Sequence, residues 1–284
     1  MNIKELYKDR KLSKGYPDLE SKAHDWFSKS QQVRRLKNEE GRINTLFDQV
    51  SQIVDLKKGS RVLVLGCGPT PQMIEVLRAK GFHATGVEPV KSFVESAREM
   101  LGDKSLVLEG AAEHIPLPDA SQDVVIFDSV LEHVDSIPQS LNEIYRVMAP
   151  SGILYLHTTN KHRFSFKGFN DEFTTPFYNW FPRLIKECYV HHHLHFKPSL
   201  ANYTTRPAVH WPTYAELCAR GRDAGFSKFY SIIDVLQPDG FVIQRSRLRR
   251  LIFSNRVLSW FRHKPLLRAL ILTQLGGSIF MFKR

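Results

Sequence analysis

At 284 residues, 42% of them hydrophobic, the chain has the apolar material for one large α/β domain with insertions rather than for two full domains. Cys67, Cys188 and Cys218 include no CxxC pair, which argues against a disulfide framework or a structural zinc site; no apolar run reaches signal-peptide or membrane-span length, so a cytoplasmic, reducing location is expected. The net charge of +11 belongs to one end: ten of the 40 Lys and Arg follow Asp239, where there is no acid, leaving 30 against 29 acids before it.

Residues 22–57 read as polar helices with spaced apolar positions (Trp26, Phe27, Val33 and Leu36, then Ile43, Leu46, Phe47, Val50, Ile53 and Val54) that stop at Lys57-Lys58-Gly59, making residues 1–57 an N-terminal helical cover. From Arg61 short apolar runs alternate with amphipathic segments. The order is RVLVLG, a helix over about 71–80, HATGVE, a helix around 90–101, SLVLEG, DVVIFD, a helix around 137–148, and GILYLHT. Runs apolar at consecutive positions, 62–65 and 124–127, suit parallel strands covered on both faces. The alternation implies right-handed crossovers and hence an α/β, doubly wound, Rossmann-like sheet, mostly parallel, with helices on both faces. Residues 58–160 are the expected core, and 161–212 an aromatic and His-rich insertion. Residues 213–240 resume the core with the helix TYAELCARGRDAGF and a strand near 228–234; 241–275 form a basic amphipathic helical insertion and 276–284 the last strand.

In such sheets ligands gather beyond the carboxyl ends of the strands. The first strand runs into Gly66-Cys67-Gly68-Pro69-Thr70-Pro71 and a helix; glycines let a ligand approach the backbone, and a helix start attracts negative charge. About twenty residues on, the second strand ends in Gly86-Val87-Glu88-Pro89, where a carboxylate can accept hydrogen bonds from both hydroxyls of a ribose. The turn lacks G-x-G-x-x-G, since Gly68 is followed by Pro69, Thr70 and Pro71, which disfavours an NAD-dependent oxidoreductase.

RVLVLGCG, TGVEPVKSFVESARE, EGAAEHIPLPDASQDVVIFDSVLEHV and EIYRVMAPSGILYL, in this order and spacing, resemble the class I S-adenosylmethionine (SAM)-dependent methyltransferases, particularly the group containing the ubiquinone/menaquinone biosynthesis enzymes. The resemblance covers residues 40–160 well and 205–235 loosely, and implies seven strands with the last antiparallel. It also implies a site. Leu65, Gly66, Cys67 and Gly68 would line the methionine part of SAM; Glu88, followed by Pro89, would hold the ribose; Ala111, Ala112 and Glu113 would flank the adenine; Phe127, Asp128 and Ser129 would border the sulfonium end. The chain differs from the family pattern at Val64, Thr70 and Ala111, which leaves the backbone N–H of Ala112 to meet the ring. No metal or second cofactor is implied.

A sulfonium methyl is already activated, so the protein must mainly align the acceptor and exclude water. A hydroxyl or phenol acceptor must also lose a proton, and His133, after the fourth strand, or His157, at the end of the fifth, is the candidate base; packing or capping is the alternative role for each. His191, His192, His193 and His195 lack the i, i+4 spacing of a helical metal site and read as loop lining. The aromatic residues of 162–212 suggest a small hydrophobic, ring-containing or lipid-like acceptor, with O- or C-methylation expected, or else a small satellite core.

In the tail, arginines alternate with Leu251, Ile252, Phe253, Val257, Leu258, Trp260, Phe261 and further aliphatics, as expected of a helix lying on an anionic membrane at the inner leaflet. A nucleic-acid surface and a hairpin packed on the domain are the other readings of this segment. A SAM-binding scaffold protein at the membrane and a nucleic-acid methyltransferase are the alternative functions.

Overall fold

The computed structural model describes residues 37–162, 177–182, 184–186, 189, 208, 210–236, 255–274 and 279–284. In chain order the elements are α1 (Lys37–Val50), β1 (Arg61–Leu65), α2 (Gln72–Ala79), β2 (His83–Glu88), α3 (Lys91–Leu101), β3 (Val107–Glu109), β4 (Gln122–Asp128), α4 (Ile137–Val147) and β5 (Met148–His157). They continue with α5 (Tyr214–Asp223), β6 (Lys228–Ser231), α6 (Ile232–Val235), α7 (Asn255–His263), α8 (Pro265–Gln274) and β7 (Ile279–Phe282).

The strands form one seven-stranded sheet in the order β3-β2-β1-β4-β5-β7-β6. The first five are parallel to one another, while β7 inserts antiparallel between β5 and β6. Alternate residues of each strand feed two separate cores. Val62, Val64, Val124, Ile126 and Phe280 pack with α1, α2, α3 and α6 on one face; Leu63, Leu65, Val125, Phe127, Leu156 and Met281 pack with α4 and α5 on the other. Burial on both faces explains why Val62–Leu65 of β1 and Val124–Phe127 of β4 are apolar at consecutive positions instead of alternating. At about 1.5–3 kcal/mol for each aliphatic side chain buried, these two layers hold the strand ends in place.

Three expectations are corrected. The first helix ends at Val50, and residues 51–57 leave it in turns, although Ile53 and Val54 still pack on the core; residues 22–36 lie outside the described ones. The strand near 228–234 stops at Ser231, because the Ser231 N–H and hydroxyl both donate to the Asp234 carboxylate, at 2.7 and 2.8 Å, and this capping box starts α6 instead. In the basic segment, α7 and α8 do not present one shared apolar face, and two of their arginines are tied to α6. Arg262 donates to the Ile233 and Leu236 carbonyls at 3.0 and 2.8 Å, and Arg268 grips Asp234 at 2.5 and 2.7 Å, tying the hairpin to α6. Leu258 turns inward while Trp260 faces out, so the two do not share one apolar face.

Candidate functional site

The site lies where β1, β2, β4 and β5 end. After Leu65 the chain turns through Gly66 and Gly68, both in the left-handed region with φ of 66° and 69°, which a side chain would strain. The two glycines have different neighbours. A Cβ on Gly66 would stand 2.5 Å from a methyl of Val130, so this glycine lets the β1 turn press against the segment after β4; a Cβ on Gly68 would meet nothing within 4 Å, leaving open ground above its backbone.

Glu88 joins this turn to β2. Its buried carboxylate accepts from the Gly68 N–H at 3.0 Å and from the Val90 N–H at 3.1 Å, so the acid and the glycine turn are one unit. Pro89 continues the rim. Cys67 is half-buried there; burial and the neighbouring Glu88 charge push its thiol well above the usual range, away from the thiolate form. At the start of α2 the Gln72 side-chain nitrogen is buried with no hydrogen-bond partner. An orphaned amide donor, open glycine backbone and a buried acceptor carboxylate together suit a ligand with hydroxyl and carboxylate groups.

Ala111 and Ala112 sit in a tight turn closed by the His114 N–H donating to the Ala111 carbonyl at 3.0 Å. Glu113 does not present its carboxylate to this corner: it accepts from the Asp135 and Ser136 N–H groups and so caps the start of α4. Arg146 of α4 holds the corner from behind, donating to the Ile115 and Leu117 carbonyls at 2.9 Å each.

At the end of β4, Phe127 is fully buried and Asp128 turns into a charged cluster. The Asp128 carboxylate pairs with His157 Nδ1 at 3.0 Å and with the Arg42 guanidinium of α1. Ser129, at φ 59°, donates its N–H to the His157 carbonyl at 2.9 Å and places its hydroxyl 3.1 Å from Asp128. Burial opposes the Asp128 charge, but His157 and Arg42 outweigh it and hold the carboxyl well below the ordinary range. Burial likewise opposes the His157 charge; the hydrogen bond and charge of Asp128, with Glu132 nearby, outweigh it and raise the imidazole pKa.

Glu132 and Arg42 are members that the sequence reading did not single out. One Glu132 oxygen accepts from the Thr158 hydroxyl at 2.6 Å and the Thr159 N–H at 3.0 Å; the other is buried with no hydrogen-bond partner. Its position two residues before Val134 in the stretch after β4 was the available signal; for Arg42, on a helix 86 residues from Asp128, there was none. His133 lies in the single helical turn Leu131–His133 beside Glu132. Residues 191–195 lie outside the described ones.

A doubly wound sheet of this order, with a glycine turn tied to an acid at the end of the second strand, defines a class, and residues 63–156 match the family model described as "Methyltransferase domain". That matched segment runs from β1 into β5 and is similar to a methyltransferase domain. The chain is similar to the malonyl-(acyl-carrier protein) O-methyltransferase of Serratia marcescens, 30% identical over 100 residues that make up 35% of this chain and 38% of that protein. It is similar to the demethylmenaquinone methyltransferase of Listeria welshimeri, 30% identical over 113 residues, 37% of this chain and 48% of that one. The chain thus spans less than half the length of either relative. Among solved structures, a SAM-dependent methyltransferase of Thermotoga maritima aligns with a TM-score of 0.44 at 20% identity, covering 75% of this chain and 81% of that one.

Proposed function

We propose that this chain is a SAM-dependent methyltransferase acting on a small hydrophobic or lipid-like acceptor, by O- or C-methylation. The observation that carries the reading is the Gly68–Glu88 unit, an open glycine backbone hydrogen-bonded at 3.0 Å to a buried carboxylate, within a segment that matches the methyltransferase domain. When bound, SAM supplies an activated methyl on a sulfonium. Gly66 and Gly68 give its amino-acid part backbone contact, Glu88 holds the ribose hydroxyls, and Ala111 and Ala112 border the adenine, with Glu113 keeping that corner on α4. The likeness to a demethylmenaquinone methyltransferase supports a ring-bearing, lipid-like acceptor.

The acceptor side falls to Asp128, Ser129 and His157. Asp128 holds Nδ1 of His157, which fixes the ring and leaves Nε2 as the nitrogen that takes a proton from a hydroxyl acceptor. His157 is preferred to His133 for this task because the Asp128 pair orients it. Labelled SAM incubated with the protein and cell extract tests the reading: label in organic-soluble product is expected, while label confined to nucleic acid, or SAM binding without any transfer, would overturn it.

The α7–α8 hairpin is proposed to rest on an anionic membrane surface. Trp260, Leu266 and Leu270 are exposed there beside Lys264 and His263, and Arg262 and Arg268, hydrogen-bonded to α6, make the hairpin a firm platform for them. Among the described residues no helix is long and apolar enough to cross a membrane.

A further inference from the structure

Lys186 is a buried cation, 4% exposed, whose partners among the described residues are aromatic rings and no carboxylate. Its Nζ lies 4.1 Å from the centre of the Trp211 ring and 5.8 Å from that of Tyr178. These rings form one cluster: Tyr178 and Trp211 meet edge to face at 5.0 Å, the Tyr178 hydroxyl donates to the Ala208 carbonyl at 2.9 Å, and Phe181 and Tyr189 pack alongside. A cation over a ring gains about 0.5–2 kcal/mol, less than the several kcal/mol that withdrawing an ammonium from water costs. Burial, with Lys161 as a second positive neighbour, pushes the Lys186 amine down to about 7. Lys161 is near enough to act on Lys186 as a like charge, and the rings offset the buried positive charge only in part.

The cluster also stands in a telling position. The His210 N–H, next to Trp211, donates to the Glu132 carbonyl at 3.3 Å, and the Lys161 N–H donates to the Pro212 carbonyl at 3.4 Å. The aromatic cluster is therefore anchored to the segments that leave β4 and β5, where the acceptor is proposed to sit.

We infer that Lys186, with Lys161, forms a subsite for an anionic group, carboxylate or phosphate, on a hydrophobic ligand whose apolar body lies along Phe181 and Tyr189, the partly exposed rings of the cluster. Calling that ligand the methyl acceptor rests on the methyltransferase reading; the anion subsite itself does not. The acceptor is then an amphiphile with a charged end, not a neutral ring.

Calorimetric titration of the full chain at pH 6 with benzoate, phenyl phosphate and the neutral benzamide tests this. Whichever anion binds is expected to do so at least about ten-fold more tightly than benzamide, which separates a carboxylate ligand from a phosphate one. Lys186→Met should erase the preference while keeping or raising Tm, because removing an unpaired buried charge relieves its desolvation cost. Lys161→Gln, which leaves the cluster's packing intact, should reduce the preference several-fold. Benzamide binding as tightly as both anions, or a preference that survives in the two variants, would overturn the subsite. A separate SAM titration keeps the two readings apart: anion capture without SAM binding sinks the methyltransferase and spares the subsite.

Discussion

Asp128 shows how one carboxylate is shared between position and chemistry. Arg42 and His157 both depend on it, and its lowered pKa and the raised pKa of His157 have opposite consequences for stability. The Asp128 contribution is complete above its ordinary value of 3.8 and is lost as pH falls through the lowered one. The His157 contribution is complete below its ordinary value of 6.5 and is lost as pH rises through the raised one. The pair is therefore fully effective between those two ordinary values, and Asp128→Asn should destabilise the protein most near pH 5–6, by a margin that shrinks toward pH 9. In the same variant the His157 ring proton, followed by NMR, should titrate at lower pH than in the wild type; an unchanged titration would mean that the pair does not govern His157. Glu88 and the glycines were legible because a strand, a turn and a second strand bring them together locally. Arg42, Glu132 and Lys186 were not, since each acquires its meaning from partners distant in sequence or from burial, which no local pattern encodes.

At the scale of elements, apolar periodicity located the helices and strands of residues 61–157 to within a few residues, because two covered faces impose consecutive apolar runs and helices must bury one stripe. Capping chemistry accounts for the miss after β6. The β-branched pair Ile232-Ile233 favours a strand, but Ser231 and Asp234 form a helix cap whose acid also receives Arg268. Asp234→Ala should cost about 2 kcal/mol in chemical denaturation, between the ~1 kcal/mol of a lost cap and the 3–5 kcal/mol of a fully buried broken pair. A loss below about 0.5 kcal/mol would show that the hairpin is held without this contact. The tail charge was visible in sequence, yet which arginines serve the fold and which remain for a partner depends on how α7 and α8 dock.

For the whole molecule, the sheet gathers the glycine turn, Glu88 and the Asp128–His157 pair at one edge, while the hairpin carries Arg262, Lys264 and Arg268 with exposed Trp260, Leu266 and Leu270. Co-sedimentation with anionic liposomes is expected for the wild type at moderate salt and is expected to fall at least about ten-fold when those three residues are replaced by serine, each losing apolar burial of about 1.5–3 kcal/mol. Equal sedimentation of both proteins, or none with either, would remove the membrane from the account.

The most direct measurement is SAM affinity by calorimetry in the wild type and in Glu88→Gln, with Tm recorded for both. One SAM per chain in the wild type and at least about ten-fold weaker binding in a variant that stays folded is the predicted result. A wild type that does not bind SAM, or a folded variant that binds it equally well, would contradict the reading of the glycine turn and its acid as a nucleoside site.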